Sequence, residues 1–389
     1  MNWSIVKLAE VASIERKGIN PSAIESGTNY LGLENIESGG RIIERQKVLN
    51  GDLASTKFSF GPEHILYGKL RPYLAKIALP DFEGVCSTDI VPIKPGPRID
   101  RRFLAYFLRQ PSMVKFASSR STGANLPRLS PKTIADFDVP LPRLEEQKRI
   151  ATILDHANQV YTLRQHAIKK LNDLRLSLFL EIFDRELESG EFDTLGELTE
   201  EFRYGTSNKS SAEGAPTLRI PNVVAGDINL SDLKKVNVTK KELDRLSLRT
   251  NDLLFVRTNG NPTYVGRSAV VPKKIKNSEH EISEFIFASY LIRARLKNPA
   301  ISAFIHSYLE SPSGRKQLLD NARTSAGQYN INTKALGSIK IPKAGNAKIA
   351  DYANSLVALE EQKSSYENHN RHLKELILSL QQHAFRREL

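Results

Sequence analysis

Side chains able to hydrogen-bond a polar polymer gather at four places in this 389-residue chain. Lys69, Arg71 and Tyr73 follow the apolar run Ile65-Leu66-Tyr67, and Arg120, Thr122, Asn125 and Arg128 surround Gly123. Farther along, Arg257, Asn259, Asn261 and Tyr264 follow Leu253-Leu254-Phe255-Val256, and Arg323, Ser325, Gln328, Tyr329 and Asn330 form the fourth group. Arg, Lys, Asn and Gln can read base edges, while Lys, Arg, Ser and Thr hold phosphates. Any one of these residues, taken alone, is an ordinary solvated loop side chain. Together they are candidate nucleic-acid contacts.

Catalytic constellations are harder to find. Asn261-Pro262-Thr263-Tyr264 lacks the middle proline of the Asn-Pro-Pro-Tyr loop of amino-methyltransferases, and no glycine-rich cofactor loop accompanies it. Glu146-Gln147-Lys148 and Glu361-Gln362-Lys363 supply the Glu-x-Lys half of a common nuclease motif. Both fall in helical sequence, where side chains two apart diverge and cannot share a metal. A structural helix surface is the expectation there. No Walker lysine loop is present. The eight histidines form no ligand-spaced set: His369 and His372 stand three apart on a helix without a third ligand. Cys86 is the only cysteine, which excludes an intramolecular disulfide and a thiolate-rich zinc cluster; a small buried apolar residue is expected. No catalytic residue and no metal ligand is assigned.

The composition is that of a globular chain with two or three domains. No apolar run approaches the roughly 18 residues of a membrane helix, and MNWSIVKLAE lacks the apolar stretch of a secretory signal. A cytoplasmic protein is expected. The net charge of +12 is unevenly placed. Residues 1–142 hold 19 basic and 14 acidic side chains, and residues 189–342 hold 22 and 16. Residues 143–188 hold 8 and 8, and residues 343–389 hold 7 and 6. Two basic segments thus alternate with two nearly neutral ones, and basic surfaces favour polyanions such as nucleic acid.

What positions the four groups is an internal repeat. Leu31-Gly32-Leu33-Glu34-Asn35-Ile36 matches Leu218-Arg219-Ile220-Pro221-Asn222-Val223, with Gly39 and Gly226 at the same spacing. Ile65–Lys69 matches Leu253–Arg257, Phe103–Ser112 matches Phe304–Ser313, and Leu129–Pro140 matches Ile331–Pro342. The offset drifts from about 187 to about 202 residues, far too long for a solenoid repeat, so a domain is duplicated. Short apolar runs bounded by Gly, Pro or Asp, such as Ile90–Ile93, predict strands. Phe103–Leu108 and Phe304–Leu309 have helical spacing with a proline stop just after.

Each copy then gives way to a long amphipathic helix. In the first, Ile153, Val160, Ala167 and Leu174 recur along one stripe. In the second, Leu356, Leu359, Tyr366, Leu373, Ile377, Leu380 and Ala384 follow alternating three- and four-residue steps, interrupted by Lys363 and Asn370. This is a coiled-coil pattern. One helix lies between the copies and the other after the second, so antiparallel pairing is predicted, with a pseudo-twofold relation that suits two copies of one partner. The expected fold is α+β: two similar globular α/β domains, residues 1–142 and 189–342, separated by two long antiparallel coiled-coil helices, residues 143–188 and 343–389. A helix of about 34 residues would rise roughly 50 Å.

Over essentially its whole length the chain resembles the specificity subunit of type I restriction-modification enzymes. The most specific piece is PLPRLEEQKRIATILD (Pro140–Asp155), joined by SRSTGANLPRLSP (Ser119–Pro131) and YGKLRPYLAK (Tyr67–Lys76). The second helix departs from the pattern, with Ala344–Ala350 where an EEQ-type opening is expected and EEQK only at Glu360–Lys363. The resemblance implies that each globular copy is a target recognition domain reading half of a bipartite, asymmetric site in double-stranded DNA. It implies helices that set the gap and hold two modification (methyltransferase) subunits, with restriction (endonuclease/translocase) subunits joining them. S-adenosylmethionine, ATP and magnesium would then be used by the partners, with no cofactor in this chain. The competing readings are a stand-alone DNA-binding regulator with a coiled-coil dimerisation arm, and a nuclease or methyltransferase in its own right. Exchanging residues 189–342 for the matching domain of a relative is expected to change one half of the DNA target and leave the other, as mapped by long-read detection of methylated bases; a change in both halves would refute modular reading.

Overall fold

A strand whose residues are all buried has no polar face to offer water and must lie inside a sheet. Ile65–Gly68 and Leu253–Val256 are such strands. The computed structural model describes residues 3–386 except Asn50, Val224, Ala225, Ser231, Lys276, Asn277 and Ala326, with the side chains of Ser325 and Arg386 also outside the description. It divides into two compact units, Met1–Gln165 with Asn368–Leu389, and His166–Glu367.

In the first unit Ile65–Gly68 sits between Ile90–Pro95 and Ile77–Ala78 in a four-stranded antiparallel sheet completed by Ala12–Ile14. Ser4–Lys7 pairs with Asp138–Leu141. A five-stranded sheet holds one parallel pair, Asn29–Leu31 beside Gly84–Cys86. Helix Arg101–Arg109 starts at Asp100, whose carboxylate accepts from the Arg102 and Phe103 amides, an N-cap. It buries Phe103, Leu104 and Leu108 against Ile65, Ile93 and Val139. Cys86 is buried and its thiol is pushed up to about 12 by burial, an inert core residue as its solitude suggested.

The second unit repeats this topology. Leu253–Val256 lies between Leu291–Leu296 and Ser268–Val270, with Thr199–Tyr204 on the outer side. Phe192–Thr194 pairs with Lys340–Pro342, and Ala215–Leu218 runs parallel to Ile286–Phe287. Even a loop detail recurs: Asn35 Oδ1 accepts the Gly32 amide at 2.7 Å, and Asn222 Oδ1 accepts the Arg219 amide at 2.8 Å. The prolines expected to stop the short helices do more than that. Pro111 and Pro312 each open a second helix, Pro111–Ser119 and Pro312–Asp320. Proline suits the first helical position because the amide there has no intrahelical partner to lose.

The long helices span Leu144–Ile182 and Asn346–Arg386, 39 and 41 residues, longer than the stripe alone suggested. In the first unit Ile150, Ala151 and Leu154 share a core with Leu380, Ala384 and Phe385. Phe385 lies 5.2 Å from Phe103, ring centre to ring centre. In the second unit Phe179 and Phe183 share a core with Ile349 and Tyr352, and Phe183 meets Phe304 edge-on at 4.7 Å. The beginning of one helix therefore pairs with the end of the other, which makes them antiparallel. The two polar interruptions of the seam are both buried. Lys363 donates to Asp227 at 2.6 Å, while the Asn370 amide has no protein partner among the described residues.

Gln147, expected on a helix surface, is fully buried. Its amide nitrogen donates to the Arg98 and Pro142 carbonyls and its oxygen accepts the Asp100 amide at 2.7 Å. One side chain thus ties the start of the long helix to the start of helix Arg101–Arg109. Asp155 adds a second tie, accepting from Tyr106 Oη and Arg102, each at 2.7 Å. The corresponding place in the second unit, 202 residues on, holds buried Ile349, so an apolar contact replaces the amide bracket there.

His306 is buried in helix Ser302–Glu310, its Nδ1 2.9 Å from Ser268 Oγ. Burial, reinforced by the Arg175 charge, pushes its pKa down to about 3. An unfolded imidazole titrates near 6.5, so below that pH the unfolded chain takes up a proton that the folded one refuses. The stability of this unit is expected to fall as the pH drops from about 6.5 toward 3, by up to about 1.4 kcal/mol per pH unit. Urea denaturation between pH 7 and 5 measures this above the carboxylate range, and His306→Asn should flatten the slope; equal slopes would mean that His306 accepts its proton in the fold.

Candidate nucleic-acid interface

Each fully buried strand is followed directly by a basic residue, Lys69 or Arg257, whose backbone is held on both sides. In the first unit the Lys69 amide donates to the Asp89 carbonyl at 2.9 Å, and the Lys69 carbonyl accepts the Leu129 amide at 3.0 Å. The Arg71 amide then donates to the Pro127 carbonyl at 2.7 Å. These bonds lay residues 69–73 beside residues 122–128, so two groups distant in sequence become one surface. Arg71 is exposed, with φ 50° and ψ 63°, a left-handed conformation uncommon outside glycine. Tyr73 stands 54% exposed on the turn that follows.

Thr122 and Arg128 exchange both backbone hydrogen bonds and close a hairpin whose tip carries Gly123 at φ 109° and exposed Asn125 and Leu126. Only glycine adopts that φ without strain. The Arg120 guanidinium lies 5.2 Å over the Phe116 ring. Arg128 is paired with Asp89, Nε to Oδ1 at 3.0 Å and Nη2 to Oδ2 at 3.3 Å, and this bonding holds its pKa above the ordinary value.

The second unit builds the same frame with other side chains. The Arg257 amide donates to the Tyr290 carbonyl at 2.9 Å, and its carbonyl accepts the Ile331 amide at 2.9 Å. The guanidinium lies 4.9 Å over Tyr204 and donates to the Ser289 carbonyl at 3.3 Å. Beyond it, Thr258–Asn259 pairs with Gln328–Asn330, which pairs with Arg323–Ser325. Arg257, Asn259, Arg323, Gln328, Tyr329 and Asn330 are thereby gathered in one place. Ser325 belongs to the outer strand by its backbone, and its side chain lies outside the described residues.

Five of the predicted readers are engaged within the protein. Asn259 Oδ1 accepts the Asn261 amide, and Asn261 Oδ1 accepts the Thr263 amide and hydroxyl, each at 2.9 Å. These are successive Asx turns, which leave the amide NH₂ groups as the part able to meet a ligand. Tyr264 lies under Arg267, 4.4 Å from guanidinium to ring centre. Gln328 Oε1 accepts the Thr258 hydroxyl at 3.0 Å, and Asn330 Nδ2 donates to the Gln328 carbonyl at 3.3 Å.

Sequence reasoning missed Asp89, Tyr204 and Tyr290. Tyr290 is 58% exposed and occupies the frame position that Asp89 occupies in the first unit. Extending the repeat one residue upstream of Ile90 would have paired the two. The Glu-x-Lys pairs build no metal site: Glu146 bonds Arg149 and Lys363 bonds Asp227. Among the described residues no group of three His, Cys, Asp or Glu is placed to hold a metal, and no helix is long and apolar enough to cross a membrane.

Both units thus present a polar, partly basic loop surface on the same α/β frame, with different side chains in each. Residues 1–173 match the family described as the type I restriction modification DNA specificity domain. The EcoKI specificity subunit of Escherichia coli K12 is 27% identical over 377 residues, 86% of this chain and 77% of that protein. The EcoDI specificity subunit of Escherichia coli is 30% identical over 191 residues, 48% and 42% of the two chains. A chain from a structural study of complex assembly and conformational transition in a type I restriction-modification system superposes with a TM-score of 0.60 at 18% identity, over 100% of this chain and 98% of that one; this likeness speaks for the fold. The chain is thus similar to type I restriction enzyme specificity subunits, and its first 173 residues match their DNA specificity domain. Those relatives favour a member of a complex over a stand-alone regulator.

The left-handed Arg71 separates loop geometry from contact. Arg71→Gly is expected to keep the stability within about 1 kcal/mol, whereas Arg71→Val should lower it by about 1–2 kcal/mol, since a β-branched residue resists that backbone. Chemical denaturation of both variants checks this; equal stabilities would mean that the turn relaxes.

Proposed function

We propose that each globular unit reads one half of a split, asymmetric DNA site and that the long helices set the distance between the halves. The recognition domains are residues 1–142 and 189–342, and the spacers are residues 143–188 and 343–389. The observation that carries this is the shared frame with unshared side chains. Lys69 and Arg257 occupy the same hydrogen-bonded position, yet what surrounds them differs at almost every point. Asp89 and Arg128 stand in one unit where Tyr290 and Asn330 stand in the other. Two copies with a common scaffold and different readers suit two different half-sites.

The contacts are assigned to Lys69, Arg71, Tyr73, Arg120, Thr122, Asn125 and Arg128 for one half. Arg257, Asn259, Asn261, Tyr264, Arg323, Ser325, Gln328, Tyr329 and Asn330 serve the other. The helices also hold two modification subunits, and restriction subunits complete the assembly in the cytoplasm. S-adenosylmethionine, ATP and magnesium are used by those partners. A 39-residue helix rises about 58 Å, more than the roughly 35 Å of one DNA turn, which is long enough to serve as a ruler. Inserting four residues, about one helical turn, within residues 158–170 should lengthen the gap between half-sites in the methylated motif. An unchanged gap, with methylation retained, would overturn the ruler.

A further inference from the structure

We propose that Arg128 reads a guanine in the half-site bound by the first unit, and that Asp89 is the positioning residue that presents it. This rests on the reading that the surface formed by residues 69–73 and 120–128 faces DNA. A guanidinium carries five N–H donors in a rigid fork. The edge formed by Nε and one Nη2 hydrogen is bonded to Asp89, Nε to Oδ1 at 3.0 Å and Nη2 to Oδ2 at 3.3 Å. The opposite end of the fork, Nη1 and the second Nη2 hydrogen, meets no acceptor among the described residues. Two parallel donors are therefore held out in a fixed plane on a side chain 42% exposed.

Fixing the plane beforehand reduces the side-chain entropy lost on binding. The backbone is fixed as well, since Arg128 exchanges both of its hydrogen bonds with Thr122. In the major groove, guanine is the base whose edge offers two neighbouring acceptors, O6 and N7; adenine offers one acceptor and one donor, and cytosine a donor. A phosphate would also accept two donors, but its attraction depends on net charge. The Asp89 carboxylate offsets the charge of Arg128 while leaving its directional donors free. The pair is thus better suited to a neutral base than to the backbone. In the second unit the same two frame positions hold Tyr290 and Asn330, so the guanine requirement belongs to the first half-site alone.

The test uses the chain assembled with its modification subunits, on the target defined by methylation mapping, with the first half-site assigned by domain exchange. Each guanine of that half-site is replaced in turn by 7-deazaguanine, which lacks the N7 acceptor, and binding is measured for wild type, Arg128→Ala, Arg128→Lys and Asp89→Asn. One replacement should weaken wild-type binding about tenfold and have no further effect in Arg128→Ala, while replacements elsewhere keep their effect. Asp89→Asn should blunt the sensitivity at that same guanine. The inference is overturned if every replacement acts equally on wild type and Arg128→Ala. A uniform loss of affinity in Arg128→Ala, with a shallower salt dependence, would make Arg128 a phosphate contact and sink the guanine assignment while the DNA-facing surface stands. Wild-type binding by all three variants would overturn both.

Discussion

The structure depends on one hydrogen bond made twice. At the end of each fully buried strand, a carbonyl (Lys69 in one unit, Arg257 in the other) accepts the amide of an apolar residue far along the chain, Leu129 or Ile331. The strand cannot shift, because all four of its residues are packed into the core. The carbonyl just past it is therefore a fixed point, and the returning chain must register on it. A basic side chain just past the core and a loop preceding Leu129 or Ile331 are brought together by that registration. Without it, the polar residues of each unit would be two unrelated loops.

On this frame the two units diverge by different chemical means. The first holds its surface by an ion pair and a tight hairpin, with Arg128 against Asp89 and Gly123 at the tip. The second uses a three-stranded ribbon, Asx turns and arginines laid over tyrosines. Both solutions limit side-chain freedom before any ligand arrives, which lowers the entropy lost on binding. The core tolerates this divergence because the backbone bonds that carry the frame are indifferent to the side chains beside them.

The long helices are anchored by equally different means. Gln147, itself buried, satisfies three backbone groups at the start of one, whereas Ile349 and Tyr352 enter an apolar and aromatic core near the start of the other. A buried amide that satisfies several backbone groups fixes an angle more narrowly than apolar contact does, because unsatisfied donors and acceptors are expensive. That is the physical content of the EEQ-type opening in the first helix and of its absence from the second.

Much of this was legible in the chain itself. The repeat and the antiparallel pairing follow from matched segments and their order along the chain, while the strand ends and the helical stripes follow from apolar spacing, which is a local property. So is the choice of Arg, Asn, Gln and Tyr on the loops, which pointed to DNA rather than catalysis. Local pattern could not reveal that Pro111 and Pro312 start helices as well as end them. Nor could it reveal that Gln147, beside two glutamates in a charged segment, is buried. It could not join Asp89 to Arg128 or seat Arg257 over Tyr204, because those partners meet only after the sheet has formed. Sequence by itself determined which hydrogen-bonding side chains the loops carry, because residue type is fixed locally; tertiary structure decided which of their atoms are already engaged, because those partners are distant in the chain.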